Sequence, residues 1–411
     1  MHQHAPVILV SAFSINPESN GNNSPSWKLL AQIGRFNPLI VVTRPIYREA
    51  IERAVAADEE LRTMQITWVW FDVNSIPNAV RGARLHRAWW QRALPGFVLK
   101  QKLSFDVVHD MSPGAIRTPS RLWKLGKPFV FGPVGRQRRV PKNYLIHVYG
   151  WRAWLGTELR WRVDQILQSR DRALHNSMRH ANYLITFDRE VNHQNFGSQA
   201  PVLHMPVAGC DSGISEAHRG EHFTVVASGP LRPEAGFDLC IRSFARYYHQ
   251  LSGNEQLRSQ LVIIGDGPLA AYLQGLAAEM EISSAVRFIP WLHATDQRAL
   301  FTEASVFFNT AHQGRCDQLS LALSCGLPVV CFREGVCGDF VSTDSGVTIR
   351  QGRYDTTVTR FSEALRLLHT NPTLHARLSE GARRLFSQQF SWESKGQKLN
   401  SIYRQLTGNP A

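Results

Sequence analysis

Short, almost continuous runs of β-branched and aromatic residues recur along the chain, each followed by a segment of helical character. In the first half they are VILVSAF (7–13), PLIVVT (38–43), ITWVWF (66–71), DVVHDM (106–111), PFVFGPVG (128–135) and ANYLITF (181–187). In the second half they are FTVVASG (223–229), LVIIG (261–265), VRFI (286–289), SVFFNT (305–310), LPVVCF (327–332) and GVTI (346–349). A strand apolar on both faces must be covered on both faces. Such runs therefore belong to parallel sheets with helices above and below. The polar, glycine-containing stretch 203–222 separates the two sets and reads as a linker. The chain is thus read as α/β, with two Rossmann-like doubly wound domains. A length of 411 residues suits two cores. Ligands are expected in a cleft, at the carboxyl ends of the strands.

Charge narrows the partners. Lys and Arg number 46 against 33 Asp and Glu, for a formal net charge of +13. That balance fits an anionic partner: nucleic acid, an acidic membrane surface or a phosphorylated substrate. No zinc-finger or RNP-type motif supports nucleic acid. Residues 1–6 (MHQHAP) and the short run Val7–Val10 do not read as a signal peptide, and no apolar run approaches the roughly 20 residues of a membrane span. A cytoplasmic location follows, with the inner face of the membrane within reach. All six cysteines (Cys210, Cys240, Cys316, Cys325, Cys331 and Cys337) lie in the second half without a Cys-x-x-Cys pair. They are expected to be small buried side chains rather than metal ligands or disulfides.

Three segments of the second half carry the motifs. GDGP (265–268) follows a strand and opens a helix; its glycines fit a close backbone approach to an anion, or simply a tight turn. SGPLRPEAGF (228–237) keeps glycines at Gly229 and Gly236 around Arg232. AHQGRCDQLSLALSCGLPVV (311–330) closes on Cys-Gly-Leu-Pro. Together these resemble the donor-binding domain of retaining glycosyltransferases of family 4, which have the GT-B fold. The resemblance runs from VILVSAF to the tail, where FSQQFSWESKGQKLNSIYRQL (386–406) is similar to the final helix that crosses back to the first domain. It implies the domains 1–202 (acceptor), 203–385 (nucleotide-sugar donor) and 386–411 (returning helix).

The family's charged residues are replaced in this chain. Where the family's Gly-Arg-Leu-x-x-x-Lys-Gly segment has Arg and Lys to neutralise the donor diphosphate, this sequence has Pro230 and Ala235. Where its Glu-x7-Glu segment has two carboxylates, this sequence has Gln313 and Leu321. Gln313 retains the capacity to hydrogen-bond a sugar hydroxyl; Leu321 cannot hold a ribose by its side chain. Each charge-assisted bond lost from a diphosphate is worth roughly 1.5–3 kcal/mol. Gly229, Arg232, Gly265, Gly267, Pro268, Gln313, Gly314 and Arg315 are the expected donor contacts. Arg232 and Arg315 are candidate replacement cations, and each also fits a solvent-facing side chain.

In the first half, FGPVGRQRRVP (131–141) resembles the FGPVGGG-type loop of a family 4 subgroup. Gly135 is kept, while Arg136 and Gln137 replace glycines and Arg138 follows. Arg136 and Arg138 fit an anionic donor or acceptor, or a basic surface loop. His109 and Asp110 end a strand where the subgroup has a His. His109 is therefore either a contact to the reacting sugar or a structural residue. Trp27 closes the loop 16–27, which the resemblance sets beside the acceptor. Basic, Trp-containing helices are read at 81–102 and 151–163, each suited to packing on the sheet or to a membrane interface.

The resemblance implies a retaining glycosyltransferase that uses a nucleotide-sugar as substrate. The acceptor would be an envelope glycan or an anionic lipid-linked molecule, of exopolysaccharide or lipopolysaccharide type. His109 and Gln313 would lie at the reacting centre. No cofactor and no metal are expected, since no Asp-x-Asp occurs. The alternative is a catalytically impaired homologue acting as a binding or partner subunit in glycan assembly.

Overall fold

The computed structural model describes the chain apart from residues 1–3, 19–24, 74–82, 112–113, 116–118, 136–138, 190, 192, 212–221, 293, 313–316, 336 and 409–411. It divides into two compact units. The first comprises Met1–Arg136, Asp164–Val207 and Trp392–Ala411, and the second Gln137–Val163 and Ala208–Ser391.

The first unit holds a sheet of strands β1 (Ile8–Ala12), β2 (Leu39–Thr43), β3 (Ile66–Trp70), β4 (Val107–Asp110), β5 (Gly114–Ala115), β6 (Phe129–Gly135), β7 (Tyr183–Thr186) and β8 (Val202–His204). Their order is β3-β2-β1-β4-β6-β7-β8, with β5 beside β6. The described pairings are parallel. Strands β1, β2, β4 and β6 are buried throughout, as their apolar runs require. Two strands were not expected. β5 has two residues. β8 lies largely within the stretch read as linker and pairs Val202 with Leu184 of β7. The C-terminal helix Trp392–Leu406 belongs to this unit. Trp392, Leu399, Ile402 and Tyr403 are buried in the same cluster as Ile8, Val10 and Leu30.

The second unit holds β9 (Phe223–Ser228), β10 (Ser259–Ile264), β11 (Val286–Ile289), β12 (Val306–Asn309), β13 (Val329–Phe332) and β14 (Gly346–Ile349). They lie in the order β11-β10-β9-β12-β13-β14, with parallel pairing. Reading out from β9, the strand order reverses between β9 and β12, and a crevice opens at the carboxyl ends of such strands. One core cluster, including Phe244, Tyr247 and Phe361, covers one face of the sheet. Another, including Phe301, Leu323 and Phe386, covers the other.

Residues 137–163, which the sequence assigns to the first domain, group with the second unit because Val140, Tyr144 and Leu145 are part of its core. Cys240, Cys325, Cys331 and Cys337 are buried, and Cys210 is half-buried; Cys316 lies outside the described residues. Burial pushes the Cys240, Cys325 and Cys331 thiols up, away from the reactive thiolate. No described helix is long and apolar enough to cross a membrane.

Candidate active site

In the second unit the crevice is built from the turns after β9, β10 and β12. The first two are laced together. Leu231 donates its N–H to the Asp266 carbonyl at 2.9 Å, and Leu269 donates to the Leu231 carbonyl at 3.1 Å. Gly229, Gly265 and Gly267 are thereby brought together. A Cβ on Gly265 would sit 1.9 Å from the Gly229 carbonyl oxygen, and one on Gly267 would sit 2.5 Å from that of Leu231. The neighbouring turn thus accounts for both small residues without any ligand. Pro268 and Arg232 flank this knot and are exposed.

Gly236 caps the helix Phe237–Tyr248 with φ +67°, a left-handed conformation that favours glycine. Its carbonyl accepts a hydrogen bond from Thr310 Oγ1 at 2.8 Å. Ala235, at the position of the family's Lys, is buried. Leu321, at the position of the second Glu, packs against the core.

Tyr144 occupies the space before this helix. Its hydroxyl lies 2.8 Å from Thr357 Oγ1 and 3.4 Å from the Gly352 carbonyl, to which it donates. Its ring packs 4.4 Å from that of His312 and 5.7 Å from Phe332. Val140, Tyr144 and Leu145 share with Gly236, Asp238 and His312 a cavity of only ≈ 10 Å³. That is about the room of one water.

His312 is buried and stacked on Phe332 at 4.4 Å. Gln351 Nε2 donates to its Nδ1 at 3.1 Å. Burial lowers its pKa to about 3, so the ring is neutral near pH 7. Asp238 is also buried and accepts the Tyr354 hydroxyl at 2.7 Å; burial raises its pKa against that hydrogen bond.

The first unit treats its candidate residues differently. His109 has no exposed surface. Its Nε2 donates to the Gly132 carbonyl at 2.8 Å, and its Nδ1 accepts the Tyr403 hydroxyl at 2.7 Å. Burial lowers its pKa to about 4. With both nitrogens engaged, His109 fastens the end of β4 to β6 and to the C-terminal helix, and it does not reach a substrate. Asp110 is buried and accepts from Gln91 Nε2 at 2.9 Å. Trp27 is 4% exposed and begins a stack with Trp68 and Trp70, at centroid spacings of 6.0 and 6.1 Å. It is a core residue, not a wall beside an acceptor. Gly135 is buried, and a Cβ there would strike the Phe187 ring at 2.3 Å.

Arg136, Arg138, Gln313, Gly314 and Arg315 lie outside the described residues. Next to the first pair, Arg139 binds the buried carboxylate of Glu158 at 2.7 Å, and Arg162 binds it at 2.9 Å. Sequence reasoning missed Tyr144 and His312. His312 had a signal, since it directly precedes Gln313. Tyr144 had none, because nothing local ties KNYLIH to the second sheet.

The family described as Glycosyl transferases group 1 matches residues 214–385. A GDP-mannose-dependent alpha-(1-6)-phosphatidylinositol monomannoside mannosyltransferase of Mycolicibacterium smegmatis is 23% identical over 267 residues, which is 60% of this chain and 68% of that protein. The structure is similar to that of Anabaena HepE in complex with UDP, with TM-score 0.59 and 14% identity over 97% of this chain and 99% of that one. It is also similar to sucrose-phosphate synthase from Thermosynechococcus elongatus, with TM-score 0.61 and 14% identity over 98% and 99%. Residues 214–385 are thus similar to group 1 glycosyltransferases, and the two parallel Rossmann-like sheets are those of the GT-B fold.

Proposed function

We propose that the chain moves a sugar from a nucleoside diphosphate sugar to a hydroxyl of an envelope glycan or lipid-linked acceptor, with retention at the anomeric carbon. The bond from the anomeric carbon to the leaving phosphate breaks. A bond to the acceptor oxygen forms on the same face, and the hydroxyl proton leaves with the departing phosphate. One observation carries the reading: the family match coincides with the unit whose strands order as β11-β10-β9-β12-β13-β14. Two relatives point the same way, one named for a GDP-mannose donor and one bound to UDP.

In this proposal the turns carrying Gly229, Gly265, Gly267 and Pro268 offer backbone to the nucleotide. Gln313 and Gly314 meet the donor sugar. Because Pro230 and Ala235 bring no charge, Arg232, Arg315, Arg136 and Arg138 neutralise the diphosphate and no metal ion is required. A lipid-linked acceptor would bring the enzyme to a membrane surface.

Calorimetric titration with GDP, UDP and their sugars tests the proposal. Saturable binding of one nucleotide is expected, weakened in both Arg136→Ala and Arg315→Ala. Unchanged isotherms in both variants would remove the rebuilt phosphate site. Binding without turnover would favour the alternative of an impaired binding subunit. The cavity of ≈ 10 Å³ under Tyr144 is the observation on that side.

A further inference from the structure

The helix Lys142–Arg170 breaks at Gly150, where φ is +78°. Beyond the break it leaves one apolar side uncovered. Trp151, Leu155, Leu159, Val163, Ile166 and Leu167 follow spacings of three and four residues, and so share one side of the helix. That side faces solvent: the six are between 47% (Val163) and 63% (Leu167) exposed. The opposite side is covered and mixed. Glu158 and Gln168 are buried there, and Trp154, Thr157, Trp161, Asp164 and Gln165 are half-buried, with Trp154 against the core. The helix Ala83–Lys100 behaves in the ordinary way, with Trp90, Leu94 and Val98 turned inward.

Charge separates in the same sense. Arg152, Arg160 and Arg170 are exposed, and Arg162, also exposed, pairs with Glu158 at 2.9 Å, while Glu158 and Asp164 lie on the covered side. The outward arc therefore carries large apolar groups and three guanidinium groups outside that ion pair, with no carboxylate. Facing copies of this helix would set arginine against arginine. An anionic lipid surface takes both components, as apolar side chains enter the acyl boundary and guanidinium groups remain among the phosphates.

We infer that residues 151–170 form an interfacial helix that docks the enzyme on an anionic bilayer. The docking rests on the proposed lipid-linked acceptor only for its purpose. The helix spans about 30 Å, enough to lie along a membrane with its apolar side down.

The test is flotation of the full chain with vesicles of phosphatidylcholine alone or mixed with phosphatidylglycerol. Binding is expected only to the mixed vesicles and should fall with added salt. Two double variants keep the test independent of folding: Leu159→Gln with Val163→Gln, and Arg152→Glu with Arg160→Glu. All four side chains are exposed, so unchanged circular dichroism is expected. Each pair should weaken vesicle binding by about tenfold or more. Equal binding to both vesicle types, or binding indifferent to both variants, would overturn the inference. So would a dimer dissociated by the Leu159 and Val163 changes. Nucleotide titration of the same samples keeps the readings apart: lost flotation with intact nucleotide binding overturns only the docking, and intact flotation without nucleotide binding overturns only the donor site.

Discussion

In the first unit β4 ends in His109 and Asp110, and both turn into the interior. Their partners are Gly132 on β6, Gln91 on the adjoining helix and Tyr403 on the C-terminal helix. In the second unit β12 leads into His312, which is equally buried and equally neutral. Its cover is a segment from far earlier in the chain, held by ring contacts and by the Tyr144 hydroxyl. A polar residue at the end of a parallel strand is thus a poor guide to a ligand until its partners are known. The His109 partners are permanent parts of a core. The His312 cover stands where the fold would seat a ligand.

The largest expected effect falls on the knotted turns of the second unit. Gly265→Ala sets a methyl group 1.9 Å from the Gly229 carbonyl, a backbone atom that cannot swing away. A loss of about 4 kcal/mol or more is expected, because the two turns must separate. Urea denaturation measures it. A loss below about 1 kcal/mol would mean that the knot is looser than its contacts imply, and would restore the ligand explanation for these glycines.

Acid sharpens the comparison. His109 and His312 have folded pKa values of about 4 and about 3, below the ordinary 6.5. Both are lowered, so the unfolded chain binds protons first as pH falls. The stability of the neutral rings is present above pH 6.5 and is lost progressively below it, down to the folded values. Between pH 7 and 5 each histidine should remove about 2 kcal/mol. Hydrogen exchange read separately at β4 and β12 should show protection falling in both units. A flat profile at β12 alone would mean that solvent reaches His312, and that Tyr144 is not a permanent cover.

The reason some features were legible lies in distance along the chain. Every apolar run of the parallel sheets became a strand, because burial on both faces is written locally. The two missed strands have two and three residues, too few to show a pattern. The site was less legible. Gly265 and Gly267 were placed correctly at a turn after β10, yet their reason is a contact with the turn after β9. Trp27 was tied to a loop by resemblance, while its stack with Trp68 and Trp70 depends on how the helix Pro25–Gly34 packs against β3. Tyr144 enters the second sheet from about two hundred residues away from Thr357, and nothing in its neighbourhood records that.

Two tyrosines compare the units at a smaller scale. Tyr403→Phe leaves Nδ1 of a buried histidine without its donor, at a cost of about 1–3 kcal/mol. Tyr144→Phe should cost less, about 1 kcal/mol, because Thr357 still donates to the Arg353 carbonyl at 2.9 Å. Thermal unfolding of both variants checks the order. The reverse order would mean that the 140–145 segment holds its unit together more firmly than the β4 clamp holds the other.

The smallest effect on stability should come from Arg232→Ala. The guanidinium is exposed beside the turn that carries Pro230, so the midpoint should move by less than about 0.5 kcal/mol. Nucleotide affinity is the separate readout. A cation two residues from the lost one contributes a charge-assisted bond only if its side chain reaches the diphosphate, and removing it then weakens binding by about tenfold. We expect that drop, because Ala235 is buried and Pro230 is neutral, which leaves Arg232 as the basic side chain on this turn. An unchanged isotherm would move the whole burden of neutralisation to Arg136, Arg138 and Arg315. The carboxyl ends of β9 and β10 would then serve the nucleotide through backbone alone.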